Sequence, residues 1–180
     1  MDYCLCSSVV EQRFHKAWAA GSIPATGTNI DMDKKFYPLV LKNLIAFTEG
    51  SVGSESFRNL YFETPDGEKN ILRGGELSCA FFVSSVLKIF SLIGGIHTTV
   101  SGAQKDLIES GWEEIKKPRP GVIILWTPQI KENGESHRHL GFYVGDNQAV
   151  HNDGDKRKVP VVDLWNYRPV EKIYWNKKLE

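Results

Sequence analysis

The stretch HRHLGFYVGDNQAVHND, His137 to Asp153, decides the fold. From His139 to Val144 the residues alternate, with His139, Gly141 and Tyr143 on one face and Leu140, Phe142 and Val144 on the other. That is the period of a half-buried strand. Gly145-Asp146-Asn147 reads as a turn and Gln148 to His151 as the returning strand, so a hairpin brings His151 back toward His139. Gly141 leaves room beside His139 for another group to approach.

Working outward, Pro118-Arg119-Pro120-Gly121 marks a change of texture, and strands are expected from Val122 to Trp126, Lys158 to Val162 and Val170 to Trp175. The run Asp155-Lys156-Arg157-Lys158 between them reads as an exposed turn. The first half has helical periods. One helix is expected from Asp33, with Phe36, Leu39, Val40, Asn43, Leu44 and Phe47 on one side and Gly50 as its stop. A second should run from Ser78 to Ile93 and stop at Gly94-Gly95. A third should run from Ser101, with Gln104 as capping-box partner, to Ser110. Residues 50 to 78 form a loop with a short hairpin around Leu60-Tyr61-Phe62 and Pro65-Asp66-Gly67. Helices first and consecutive strands after predict one α+β domain with an antiparallel sheet.

Composition narrows the function. Lys and Arg number 22 and so do Asp and Glu, so no global charge attracts the chain to nucleic acid or an anionic membrane. The longest apolar stretch, Ala80 to Ile96, carries Lys88 and reads as a buried helix rather than a span. Cys4, Cys6 and Cys79 suit neither a disulfide framework nor a zinc knuckle, which points to a reduced, cytoplasmic compartment. Residues 1–31 lack hydrophobic periodicity and the order of a signal peptide. Their strings SSVVEQ (Ser7 to Gln12) and GSIP (Gly21 to Pro24) are what translation of transfer-RNA D-arm and T-arm sequence yields. The segment is therefore expected to be a non-structural leader ahead of an initiator at Met32, with the domain spanning 32–180.

Cys79 opens an apolar helix, where first-turn N–H groups and the helix dipole favour a thiolate and can later hold an oxyanion. His139 is the candidate base. Its far nitrogen needs a polar partner to fix ring and tautomer, a task open to His151, Asn152 or Asp153, with His151 preferred. His137, with His139, His151 and Cys79, also outlines a zinc site, but no further acidic or cysteine ligand recurs nearby, and no metal is assigned. His97, at a helix end, is expected to meet the last carbonyls. Trp112 and Trp126 are assigned to the core ahead of a substrate groove.

The strings SCAFFVSSVL (Ser78 to Leu87), PGVIILW (Pro120 to Trp126) and HLGFYVGDNQAVH (His139 to His151) resemble the NlpC-type cell-wall cysteine peptidases. The motifs of this papain-like family run Asp-Cys-Ser-Gly-Phe-Val, Pro-Gly-Asp and His-Val-Gly-Ile-Tyr-Leu-Gly. The likeness covers Leu77 to Asn152. It implies a papain-like fold with the cysteine helix packed on the histidine-bearing sheet, Cys79 as nucleophile, His139 as base and His151 as the orienting residue. It further implies an oxyanion contribution from Tyr61, a monomer, no cofactor and a peptide or peptidoglycan fragment as substrate. A cytoplasmic chain would meet the wall only on lysis or by an export route of another kind. Where the family has Asp, Ser, Gly and Asp, this chain has Ser78, Ala80, Phe81 and Val122, changes that bear on specificity. A thioesterase, an acyltransferase and a catalytically lapsed binding module share the same residues.

Overall fold

In the computed structural model, which describes residues 37–130 and 134–180, the apolar runs of the second half become a sheet. A two-stranded hairpin comes first, β1 (Tyr61–Thr64) and β2 (Gly67–Asn70), turning at Pro65-Asp66 as the sequence suggests. The main sheet holds β3 (Trp112–Glu114), β4 (Ile123–Ile130), β5 (Ser136–Gly145), β6 (Gln148–Asn152), β7 (Pro160–Leu164) and β8 (Val170–Asn176). Its order is β3-β8-β4-β5-β6-β7, and every neighbouring pair is antiparallel. Three α-helices lie among the described residues: α1 (Val40–Gly50), α2 (Cys79–Ile89) and α3 (Val100–Glu109). The chain is thus a mixed α+β protein with an antiparallel sheet.

β4 is central because both its faces are covered. Ile123, Ile124, Leu125 and Trp126 are all fully buried. Register sets Ile123 opposite Phe142 and Trp126 opposite His139, so the two faces of β4 match the two faces read for β5. α2 packs on the Phe142 face, where the Phe82 and Phe142 rings meet edge-on at 5.8 Å. Phe82, Val83, Val86 and Leu87 are fully buried there, each contributing about 1.5–3 kcal/mol of transfer free energy. The opposite face, with Trp126 and Tyr143, is closed by residues 165–169: Trp126 Nε1 donates to Trp165 O at 2.8 Å, and Tyr143 meets the Trp165 ring. The β5–β6 turn has Asp146 and Asn147 both at positive φ, the twist that suits a tight hairpin.

Several boundaries differ from expectation. α1 begins at Val40, since Pro38 disfavours helix at Tyr37 and cannot donate a helical hydrogen bond; residues 33–36 lie outside the described ones. Its buried stripe is Leu44 and Thr48, flanked by Val40 and Leu41, whereas Leu39, Asn43 and Phe47 are exposed. α2 stops at Ile89, four residues early. Ser91 turns left-handed, and the N–H groups of Ser91 and Leu92 cap the carbonyls of Lys88 and Leu87, which lets Leu92 and Ile93 turn into the core. The cap of α3 is Thr99, whose Oγ1 accepts from Gly102 N at 3.1 Å, not Ser101; Gln104 instead reaches Tyr174 and Arg138. β7 starts at Pro160, because Lys158 is a turn residue at positive φ whose N–H donates to Asp153 O. The short edge strand β3 has no strand-like alternation and was not anticipated. The proposed leader, residues 1–31, lies outside the described residues. Among the described residues no helix is long and apolar enough to cross a membrane.

Candidate active site

The N-terminus of α2 is left open by its own sequence. Ser78 holds the N-cap position, but its side chain makes no capping bond and its hydroxyl is buried without a partner among the described residues. First-turn N–H groups are thereby free of a side-chain cap. The backbone N–H groups of Leu140 on β5 and of Ala80 act on the Cys79 sulfur in the direction that favours its charged form. Leu140 lies one residue beyond the last β5–β6 pair, Gly141 opposite His151. A helix packed on one face of the sheet thus reaches the rim where the histidines of the other face stand.

Burial pushes the Cys79 thiol up. The N–H groups of Leu140 and Ala80, the positive charge of Arg168 and the residue's own N–H pull it down without overcoming burial. The helix terminus alone does not outweigh burial, so a base placed to take the proton would assist the thiol.

His139 and His151 are brought together. His139 Nε2 lies 2.9 Å from His151 Nδ1, with the rings nearly perpendicular at 84°. Gly141 makes this possible: a Cβ there would lie 2.8 Å from His151 Cβ, from the Trp126 ring and from Val150 O. The groups that use the space left by glycine are thus the second histidine and a tryptophan. Trp126 is in the core, as expected, yet it also touches both histidine rings, at 5.5 and 5.6 Å between centroids. Trp112 is buried as well, its Nε1 donating to Leu92 O.

The relay continues to a residue that the sequence did not single out. His151 Nε2 is 3.1 Å from Asp163 Oδ2 on β7. His151 itself is 4% exposed, and burial lowers its pKa while Asp163 works in the opposite direction. Tyr167 stacks flat on it, 4.8 Å away and 9° from parallel, and burial pushes the Tyr167 hydroxyl up to about 12. Arg168 is also new. It is 8% exposed, its Nη2 donates to the carbonyls of Thr127 and His137, and its Nε is buried without a partner among the described residues.

The other candidates have different tasks. Asn152 Nδ2 donates to Gly75 O at 2.7 Å, which ties β6 to the segment ahead of α2. Asp153 accepts from the N–H groups of Asp155, Lys156 and Arg157 and so organises the turn there. The place beside His139 Nε2 is taken by His151 Nδ1. Tyr61 stands on the β1–β2 hairpin, 58% exposed and not among the residues lining the cleft. His137 bonds to Glu135 at 3.0 Å, and among the described residues no group of three or more His, Cys, Asp or Glu is placed to hold a metal ion. His97 meets a carboxylate instead of helix carbonyls, with Nε2 2.6 Å from Asp106 Oδ2.

Cys79, His139, His151, Asp163, Tyr167 and Arg168 line one open cleft of about 1150 Å³, bounded by the N-terminal residues of α3 and the turn after Asp153. A thiol at a helix N-terminus and a histidine pair in one cleft are groups that can perform acyl transfer. No protein-family model matches the chain, and no curated protein matches it.

Proposed function

We propose that the chain is a papain-like thiol hydrolase of the NlpC type, cutting an amide, with a peptide bond of bacterial peptidoglycan as its substrate. The observation that carries this reading is the 2.9 Å contact of His139 with His151 in the cleft that also holds Cys79 at a helix N-terminus. His139 takes the thiol proton as the sulfur attacks the carbonyl carbon, a base being called for where burial pushes the thiol pKa up. N–H groups at the start of α2 hold the oxyanion, the C–N bond breaks, and His139 returns the proton to the leaving amine. Water, deprotonated by His139, then attacks the acyl carbon, the C–S bond breaks to release the acid, and His139 returns the proton to the sulfur. The cleft binds a peptide or peptidoglycan fragment, the chain works as a monomer without a cofactor, and from the cytoplasm it reaches the wall on lysis or by an export route of another kind.

One observation favours a second reading. Ala80 and Phe81 stand beside Cys79 where the family has Ser and Gly, which suits a binding module that has kept the fold and lost the reaction. Digestion of purified peptidoglycan, followed by mass spectrometry of released peptides, separates the two. New peptide termini should appear with the wild type and be absent with Cys79→Ala. Equal release by both refutes the hydrolase.

A further inference from the structure

The hydrogen-bonded chain from His139 ends on the edge strand of the sheet. We propose that Asp163 is a positioning residue that sets the tautomers of both histidines and so presents the basic nitrogen of His139 to Cys79. This rests on the thiol-hydrolase reading of the cleft.

The placement follows from register. Val161 lies opposite His151 and Asp163 opposite Ala149, so Asp163 is the diagonal neighbour of His151 on the same face. β7 also inverts the ordinary pattern of an edge strand. Val162 and Leu164 point outward, 38% and 60% exposed, while the carboxylate turns toward the cleft. An inward charge can serve only to discourage edge pairing. Here it also meets a ring nitrogen at 3.1 Å.

A carboxylate only accepts hydrogen bonds, so the His151 nitrogen facing it, Nε2, must carry the hydrogen. Burial favours the neutral form of His151, and in a neutral ring with its hydrogen on Nε2 the Nδ1 is an acceptor. His139 Nε2, 2.9 Å away, must then be the donor. In a neutral His139 the lone pair is consequently on Nδ1, and this is the atom that takes the thiol proton. One carboxylate thus fixes two tautomers in series. During attack the S–H bond of Cys79 breaks and an N–H bond forms at Nδ1 of His139. No proton passes to Asp163, which stabilises the imidazolium through the neutral His151 between them.

The test uses side-chain ¹⁵N NMR of the full chain together with peptide release from purified peptidoglycan. Wild type should show His151 protonated at Nε2 and bare at Nδ1, and His139 protonated at Nε2. Asp163→Asn keeps an acceptor oxygen and should retain this pattern. Asp163→Leu should lose it, with release falling by about 10- to 100-fold. His151 protonated at Nδ1 in the wild type, or an unaltered pattern in Asp163→Leu, would overturn the proposal. The tautomers are read without any turnover. Wild type that shows the expected tautomers and releases no peptide refutes the hydrolase, not the role of Asp163 in ordering the histidines.

Discussion

Gly141→Ala tests most directly how the cleft is built. The added methyl would stand 2.8 Å from His151 Cβ, from Val150 O and from the end of the Trp126 ring, and each must recede by about 0.6 Å to reach the 3.4 Å of ordinary contact. None can do so cheaply. The first two belong to β6, whose distance from β5 is set by the ladder, and the wholly buried Trp126 is fixed by its bond to Trp165 O. Overpacking of this kind costs about 1–3 kcal/mol. At roughly 2–4 °C per kcal/mol for a chain of this size, the melting temperature should fall by about 2–12 °C. If β6 yields, the same 0.6 Å takes the His139–His151 contact from 2.9 Å to about 3.5 Å, beyond a useful hydrogen bond. Peptide release should then drop on the order of 10-fold, since a full ångström of misplacement can cost roughly 100-fold. Thermal unfolding followed by circular dichroism, beside the peptidoglycan assay, reads both effects. A variant that melts like the wild type refutes the close approach. One that melts early yet releases peptide at the wild-type rate refutes the link between the seat of His151 and the chemistry.

Arg168→Met removes a positive charge that holds the Cys79 thiol down against burial, so the pH midpoint of iodoacetamide labelling at Cys79 should move upward. Arg168→Lys should recover part of the shift, and an unmoved midpoint in Arg168→Met contradicts the electrostatic role. Asp106 is opposed by burial, which raises its pKa, but His97, the N–H groups of Gly94 and Gly95, and Ser110 outweigh it and hold the carboxyl at about 2 instead of 3.8. A depressed carboxyl stabilises the fold above its unfolded pKa and loses that contribution as pH falls through the folded one. Asp106→Asn should therefore be less stable than wild type at neutral pH, by on the order of 2 kcal/mol. Urea denaturation should show that gap closing near pH 2. A gap of the same size at both pH values argues against it. Phe82→Ala removes a fully buried ring packed edge-on against Phe57 and Phe142, and urea denaturation should show a loss of about 3–5 kcal/mol. A loss under 1 kcal/mol would mean that this part of the core collapses around the gap.

Much of the sheet was legible because its strands alternate or are uniformly apolar. Leu140, Phe142 and Val150 share one face and His139, Gly141 and His151 the other, as a period of two demands. Helix ends were less legible, because they depend on what the following residues bury. Gly94-Gly95 looks like the natural stop of α2, but Leu92 and Ile93 have to leave the helix before it to reach the core. Burial of Thr48 rather than Phe47 has the same origin. Periodicity limits which residues can share a face, while the neighbouring surface chooses among them.

The candidate site divides along the same line. His139 and His151 were legible because one hairpin carries both, and a hairpin is local. Asp163 and Arg168 were not, because nothing in their own segments marks them: one matters through its contact with His151 across β6 and β7, the other through the carbonyls of Thr127 and His137. Asp163 also sits in a strand whose exposed Val162 and Leu164 make it look like a polar outward residue between apolar inward ones, the reverse of its actual orientation. Cys79 shows the limit most clearly. Its place at a helix N-terminus argues for a low pKa, and its N–H partners bear that out in sign, yet the helix is pressed so closely on the sheet that desolvation outweighs them. The packing that brings Cys79 to the cleft also pushes its thiol pKa up. On the proposed reading, nucleophile and base act together, and the orientation of His139, held through His151, governs how well they do so.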